Sequence, residues 1–223
     1  NVQIEIEPRV TTTANINQGP VTAKLAKGAV ISPDGSQYAF SAFGRLYRVA
    51  ITDQVPVKLT TRDEFGEFHP VWSSDGNWLA YVTWSAADGG AIWKVPTDGS
   101  RPATKLTADD AYYRDPVWST DGEWIFATRA PKGVRLANAP GPLAQAEQIV
   151  RLASIGGKPV TVSPAAGTTR VHFTEDGQRF YAYSPALGLS SRKLDGSDRL
   201  TILRVMGSAS ATAFPATASD ILL

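Results

Sequence analysis

The chain contains no cysteine. Disulfides, thiolate nucleophiles and cysteine-based zinc sites are therefore excluded, and the compartment is left open, because an absence of thiols suits reducing and oxidising surroundings alike. An excess of charge of one sign is also missing: 22 Lys+Arg stand against 21 Asp+Glu, a net charge of +1. With no basic run or stripe, nothing marks nucleic acid or an anionic membrane as a partner. No apolar stretch approaches the roughly 20 residues of a membrane-spanning helix. The N-terminus, NVQIEIEPRV, has neither a basic start nor an apolar signal core, and reads as a mature form or a piece of a longer chain. Among the 223 residues there is no G-x-S-x-G elbow, P-loop, G-x-G-x-x-G or calcium loop. His69 and His172 are the only histidines.

What is present is repetition. AVISPDGSQYAF, PVWSSDGNWLAY, PVWSTDGEWIFA and VHFTEDGQRFYA share one pattern: an apolar strand, a turn ending in Asp-Gly, and a second apolar strand. The turn pairs are Asp34-Gly35, Asp75-Gly76, Asp121-Gly122 and Asp176-Gly177, spaced 41, 46 and 55 residues apart. Asp accepts a backbone N–H two residues on, and Gly takes positive φ without a Cβ clash, so each pair marks a hairpin. Bulky residues recur three before each Asp (Ile31, Trp72, Trp118, Phe173) and four after it (Tyr38, Leu79, Ile125, Phe180). At the fifth and sixth positions large and small exchange: Ala39/Phe40, Ala80/Tyr81, Phe126/Ala127, Tyr181/Ala182. That exchange fits sheets packed on both faces at near-constant volume.

A four-strand unit every 40–50 residues is the mark of a β-propeller blade. The second unit reads in full, with strands near 69–72, 78–84, 92–95 and 104–107, and turns at Asp88-Gly89-Gly90 and Asp98-Gly99. The fold class is therefore all-β, a propeller of four-stranded antiparallel blades. Its parts are a lead-in at 1–27, blades at 28–60, 69–107, 115–163 and 169–203, and the start of a further blade at 210–223. An insertion rich in Ala, Pro and Gly, 130–146, reads as a surface loop of the third blade. Four blades plus fragments predict an incomplete ring, an arc whose end blades expose apolar faces and favour self-association.

The four motifs resemble the TolB-type, WD40-like propeller repeat, P-x-[WF]-S-P-D-G-[KR]-x-[IL]-[AV]-[FY], over about residues 28–203. The blocks AVISPDGSQYAFSAFGRLYRV, EFHPVWSSDGNWLAYVTW and AIWKVPTDGS, then KLT and YYRDPVWSTDG, further resemble the propeller half of secreted amidohydrolase-related proteins. That resemblance implies an accessory domain beside a metal-dependent hydrolase, and a periplasmic or secreted location. The hydrolase's H-x-H has no counterpart here, so no catalytic residue, metal ligand set or cofactor is expected in this chain.

In a propeller, the connections from fourth to first strands share a face with those from second to third. That face gathers Asp63, Glu64, Glu67 and His69 from one loop, and Asp109, Asp110, Tyr112, Tyr113, Arg114 and Asp115 from the next. Acidic groups, aromatics and an Arg on adjoining loops suit a peptide or a partner domain. The plainer alternative is a solvated rim of local ion pairs. Asp63, Glu67 and His69 are chemically able to hold a metal, but their spacing matches no defined site. His172 stands where other blades have Val30, Val71 and Val117, and reads as a first-strand histidine with a local hydrogen bond. Three functions follow: a scaffold or interaction module, a lid on a prolyl-oligopeptidase-like peptidase, and a stand-alone TolB-like envelope protein.

Overall fold

The computed structural model describes residues 27–53, 55–62, 64–133, 146–165, 167, 170–185 and 187–204. The expected lead-in and the start of a fifth blade lie outside them, as do Asp63 and most of the insertion. Sixteen strands form four antiparallel meanders among the described residues. Blade 1 is β1 (Lys27–Ile31), β2 (Gln37–Ala42), β3 (Arg45–Ala50) and β4 (Val57–Lys58). Blade 2 is β5 (Gly66–Trp72), β6 (Trp78–Trp84), β7 (Ile92–Pro96) and β8 (Thr104–Lys105). Blade 3 is β9 (Ala111–Trp118), β10 (Trp124–Pro131), β11 (Gln148–Ala153) and β12 (Val160–Pro164). Blade 4 is β13 (His172–Phe173), β14 (Arg179–Ser184), β15 (Gly188–Lys193) and β16 (Leu200–Leu203). Two expectations shift. β5 begins at Gly66, three residues early, and Ala130–Pro131 belong to β10 rather than to the insertion, pairing with Tyr112 and Ala111.

The four Asp-Gly turns are built alike. Asp34, Asp75, Asp121 and Asp176 each accept the backbone N–H two residues on, at 3.1, 3.0, 2.9 and 3.0 Å. The hydroxyl two residues before each Asp (Ser32, Ser73, Ser119, Thr174) donates to that carboxylate and accepts the N–H that opens the second strand. These bonds hold the Asp34 carboxyl down at about 2.

The pattern of large and small residues sorts into blade faces. Leu79, Ile125 and Phe180 are fully buried against the preceding blade, and Ala39, Ala80 and Phe126 against the following one. Trp72 and Trp118 reach back and donate their indole N–H to Val30 O (3.1 Å) and Val71 O (3.3 Å) of the preceding blade. Burying such side chains stabilises each junction by about 2–3 kcal/mol per residue. Large meets small at two junctions, Tyr81 with Ala39 and Phe126 with Ala182, whereas Ala80 meets Ala127 at the middle one. Three clusters thus join blades 1–2, 2–3 and 3–4. None joins blade 4 to blade 1 among the described residues, so the sheets form an arc.

Candidate functional site

First strands of neighbouring blades pack against each other, which places them innermost. Each of the first three carries the same bulge. Gly28-Ala29 lie opposite Phe40, His69-Pro70 opposite Tyr81, and Asp115-Pro116 opposite Ala127. The leading residue is left-handed in every case, with φ of 61°, 52° and 52°. Gly takes that conformation freely, and Asp and His are among the few other residues that tolerate it. Proline follows twice, where the ladder needs no N–H. An ideal Cβ on Gly28 would lie 3.9 Å from His69 Cα, so the bulges are neighbours across the blades.

The bulges bring His69 and Asp115 together. His69 Nδ1 lies 3.1 Å from Asp115 Oδ1, while Asp115 Oδ2 accepts Arg114 Nη1 at 2.6 Å. Arg114 in turn donates Nε and Nη2 to the two oxygens of Glu147, at 3.0 and 2.8 Å. Glu147 is buried, at 7% exposure. A chain of alternating charge therefore runs from the interior to a half-exposed imidazole. The Asp115 carboxyl is desolvated, yet its bonds to His69 and Arg114 outweigh that and hold it at about 2.

Glu67, expected on the exposed rim, is 2% exposed. Its Oε2 accepts Leu46 N–H (2.9 Å) and the Thr60 hydroxyl (2.6 Å), tying blade 2 to blade 1. Burial pushes its carboxyl up, against those bonds. Asp109 accepts the Tyr113 hydroxyl (2.6 Å) on Oδ1 and Arg129 Nε and Nη2 (2.9 and 2.6 Å) on Oδ2. Tyr112 meets Trp84 edge-on at 5.4 Å. Among the described residues of this set, Asp110, 3.2 Å from Lys105, and Glu64, 3.9 Å from Arg62, form exposed pairs of the rim kind. Among the described residues no group of three metal-capable side chains converges.

The expected pairing of loops on one face is present. Gly90 and Ala111 exchange backbone bonds (2.7 and 3.2 Å), Glu67 N–H reaches Gly44 O (3.0 Å), and Lys132 Nζ donates to Ala87 O. Phe43, at the tip of the β2–β3 hairpin, was visible in the sequence only as part of a turn. It is 64% exposed with φ 52°, beside Gly44 at φ 69°. Two positive φ values make a type I′ turn, which prefers Asn-Gly, and a bulky aromatic there is strained. Arg45 clamps the tip by donating Nη1 to Gly44 O (3.0 Å) and Phe65 O (2.8 Å). The result is a rigid hairpin that presents an aromatic ring to solvent.

His172 is half-buried in blade 4, and desolvation by burial brings its imidazole down to about 4. On the opposite, Asp-Gly-turn face, the tryptophans serve packing. Lys94 lies 4.4 Å over Trp78, and Arg151 lies 4.6 Å over Trp124. Arg48 donates to Gln37 at the same place in blade 1 (2.9 Å). In blade 4 the cation changes strands, and Arg179 donates to Ser191 (2.6 Å).

No family model and no curated protein matches the chain. Solved structures do. The protein described as TolB in Agrobacterium tumefaciens is 20% identical, with a TM-score of 0.64, over 81% of this chain and 62% of its own. TolB from Acinetobacter baumannii is 18% identical, with a TM-score of 0.56, over 77% and 41%. An oligogalacturonate lyase in complex with manganese is 15% identical, with a TM-score of 0.67, over 87% and 57%. The chain thus spans less than two thirds of each of these proteins. The fold is that of the TolB-like β-propellers.

Proposed function

We propose that this chain is a non-catalytic propeller interaction module that works through its loop face, as an accessory domain of a larger secreted or periplasmic hydrolase of amidohydrolase-related type. One observation carries the reading. The ionisable groups of the face are mostly consumed within the protein, Glu67 by the Leu46 N–H and Thr60 hydroxyl of blade 1, Asp109 by Arg129, and Asp115 and Glu147 by Arg114. A surface held in this way is a rigid platform, and Phe43 with the exposed pairs of Glu64 and Asp110 is left for contact. The partner is the remainder of the same polypeptide, or a second copy of the chain through its end blades.

The reading frame beyond the Leu223 codon tests the parent. An H-x-H downstream supports an amidohydrolase. A G-x-S-x-G turns the module into a peptidase lid, and an early stop into a stand-alone TolB-like protein. Sedimentation of the purified chain tests the end blades: self-association is expected, and a stable monomer at all concentrations removes that part.

The His69–Asp115 pair favours a second reading. A carboxylate on Nδ1 fixes the tautomer and leaves Nε2 as an acceptor, the arrangement of a general base. One of the similar folds is a lyase. Turnover of oligogalacturonate by the purified chain, with or without manganese, and its loss in His69→Ala, would move the assignment to an enzyme. No turnover and no stoichiometric zinc are expected.

A further inference from the structure

A groove of about 460 Å³ lies on blade 3 beside the link from blade 2, lined by Ala108 and Asp109 of that link and by Arg129, Val150, Lys158, Pro159 and Thr161. Both ends are built. At one, the β11–β12 turn folds onto blade 2, with Gly157 N–H on Leu106 O at 2.8 Å. Gly156 there has φ +99°, and a Cβ on it would sit 3.1 Å from Leu106 O, so this approach needs glycine. At the other end, Asp109 holds Arg129 through Nε and Nη2.

The charges lining the groove are unequal. Asp109 offsets Arg129 and has its other oxygen on Tyr113. Lys158 is exposed and has no acceptor among the described residues. One ammonium therefore stays uncompensated beside the accessible apolar surfaces of Ala108 and Pro159. The volume lies within the roughly 300–1,000 Å³ of small-molecule sites, which pair apolar walls with a few polar groups. A single net positive charge matches a monoanion better than a phosphate dianion.

We propose that this groove binds a small organic carboxylate, its charged end on Lys158 and its apolar body on Ala108 and Pro159. The inference stands apart from the interaction-module reading, since it uses neither Phe43 nor the end blades.

N-acetyl-leucine, which joins one carboxylate to one branched side chain, is the probe. Titrated into the isotope-labelled 223-residue chain, it should shift the Val150, Lys158 and Thr161 amides saturably. Lys158→Gln should weaken binding at least about tenfold and Lys158→Arg by no more than about threefold, because the site needs a cation rather than a particular side chain. N-acetyl-leucinamide should bind at least about tenfold more weakly, and raising salt from about 50 to about 500 mM should weaken the acid several-fold. Lys158 is exposed, so neither variant endangers folding. Equal binding of acid and amide, full affinity in Lys158→Gln, or no saturable shift at these amides would each overturn the proposal.

Discussion

Blades 1 and 2 carry the same repeat and differ in what lies behind them. In blade 2, Trp72, Leu79 and Tyr81 are 8%, 0% and 1% exposed. At the matching places in blade 1, Ile31 and Tyr38 are 52% and 41% exposed, and Phe40 is only half-buried. Six of the twelve large apolar residues exposed among the described ones lie in blade 1, and none in blade 2. The repeat fixes which side chains point backward along the arc. Whether they are buried depends on a neighbouring blade.

The largest expected difference comes from truncating one position in both blades. Leu79→Ala should cost about 3 kcal/mol, because it opens a cavity in a closed junction, and Tyr38→Ala less than about 1 kcal/mol. Urea unfolding of the two variants measures this, and equal losses would break the comparison by showing that the back of blade 1 is covered.

Acid separates other regions. Asp115 has a depressed pKa, so its stabilisation is complete above its unfolded value of 3.8 and is lost as pH falls toward about 2. That contribution is about 2 kcal/mol, and Asp115→Asn should shrink the low-pH limb, which the Asp34 carboxylate shares, without abolishing it. His172, buried as the neutral form, is lowered from 6.5 to about 4, so stability is full above pH 6.5 and declines as pH falls toward 4. His172→Val, the residue of the other three blades, should flatten that upper window and leave the lower one intact. Thermal midpoints measured from pH 7 to 2 would show both windows, and a single limb common to wild type and variants would contradict the separation.

Junction bonds come next. Trp72→Phe keeps a ring against blade 1 and removes the donor to Val30 O, and should cost about 1–2 kcal/mol by denaturant unfolding. The change has no counterpart in blade 1, where Ile31 has no indole to lose. The smallest effect has the opposite sign. Phe43→Asn puts the preferred residue into the strained hairpin tip and should raise stability by about 0.5–1 kcal/mol. A loss of stability instead would mean that Phe43 packs on something that the exposed tip does not reveal.

Much of this was legible before the fold. Asp34, Asp75, Asp121 and Asp176 announced equivalent hairpins because a turn is a local device, and three or four residues carry all of its chemistry. The site was less legible. Glu67 read as a rim carboxylate because its loop is polar, but its bonds are to Leu46 and Thr60, 21 and 7 residues away. His69 and Asp115 stood 46 residues apart, and only stacked bulges bring them together. The sole hint was that each precedes Pro-Val-Trp. Phe43 was hidden because a Phe-Gly pair reads simply as a turn, and only its φ and exposure reveal the strain.

The sequence by itself determined the unit: strand lengths, turn chemistry, the alternation of faces, and the number of blades between residues 28 and 203. These follow from short-range sterics and hydrogen bonding that recur every 41–55 residues. Tertiary structure alone decided which copy of each repeated residue is buried, which carboxylates are consumed, and where a groove opens on blade 3. Those outcomes depend on contacts between blades, and a contact is a property of pairs that no single repeat contains.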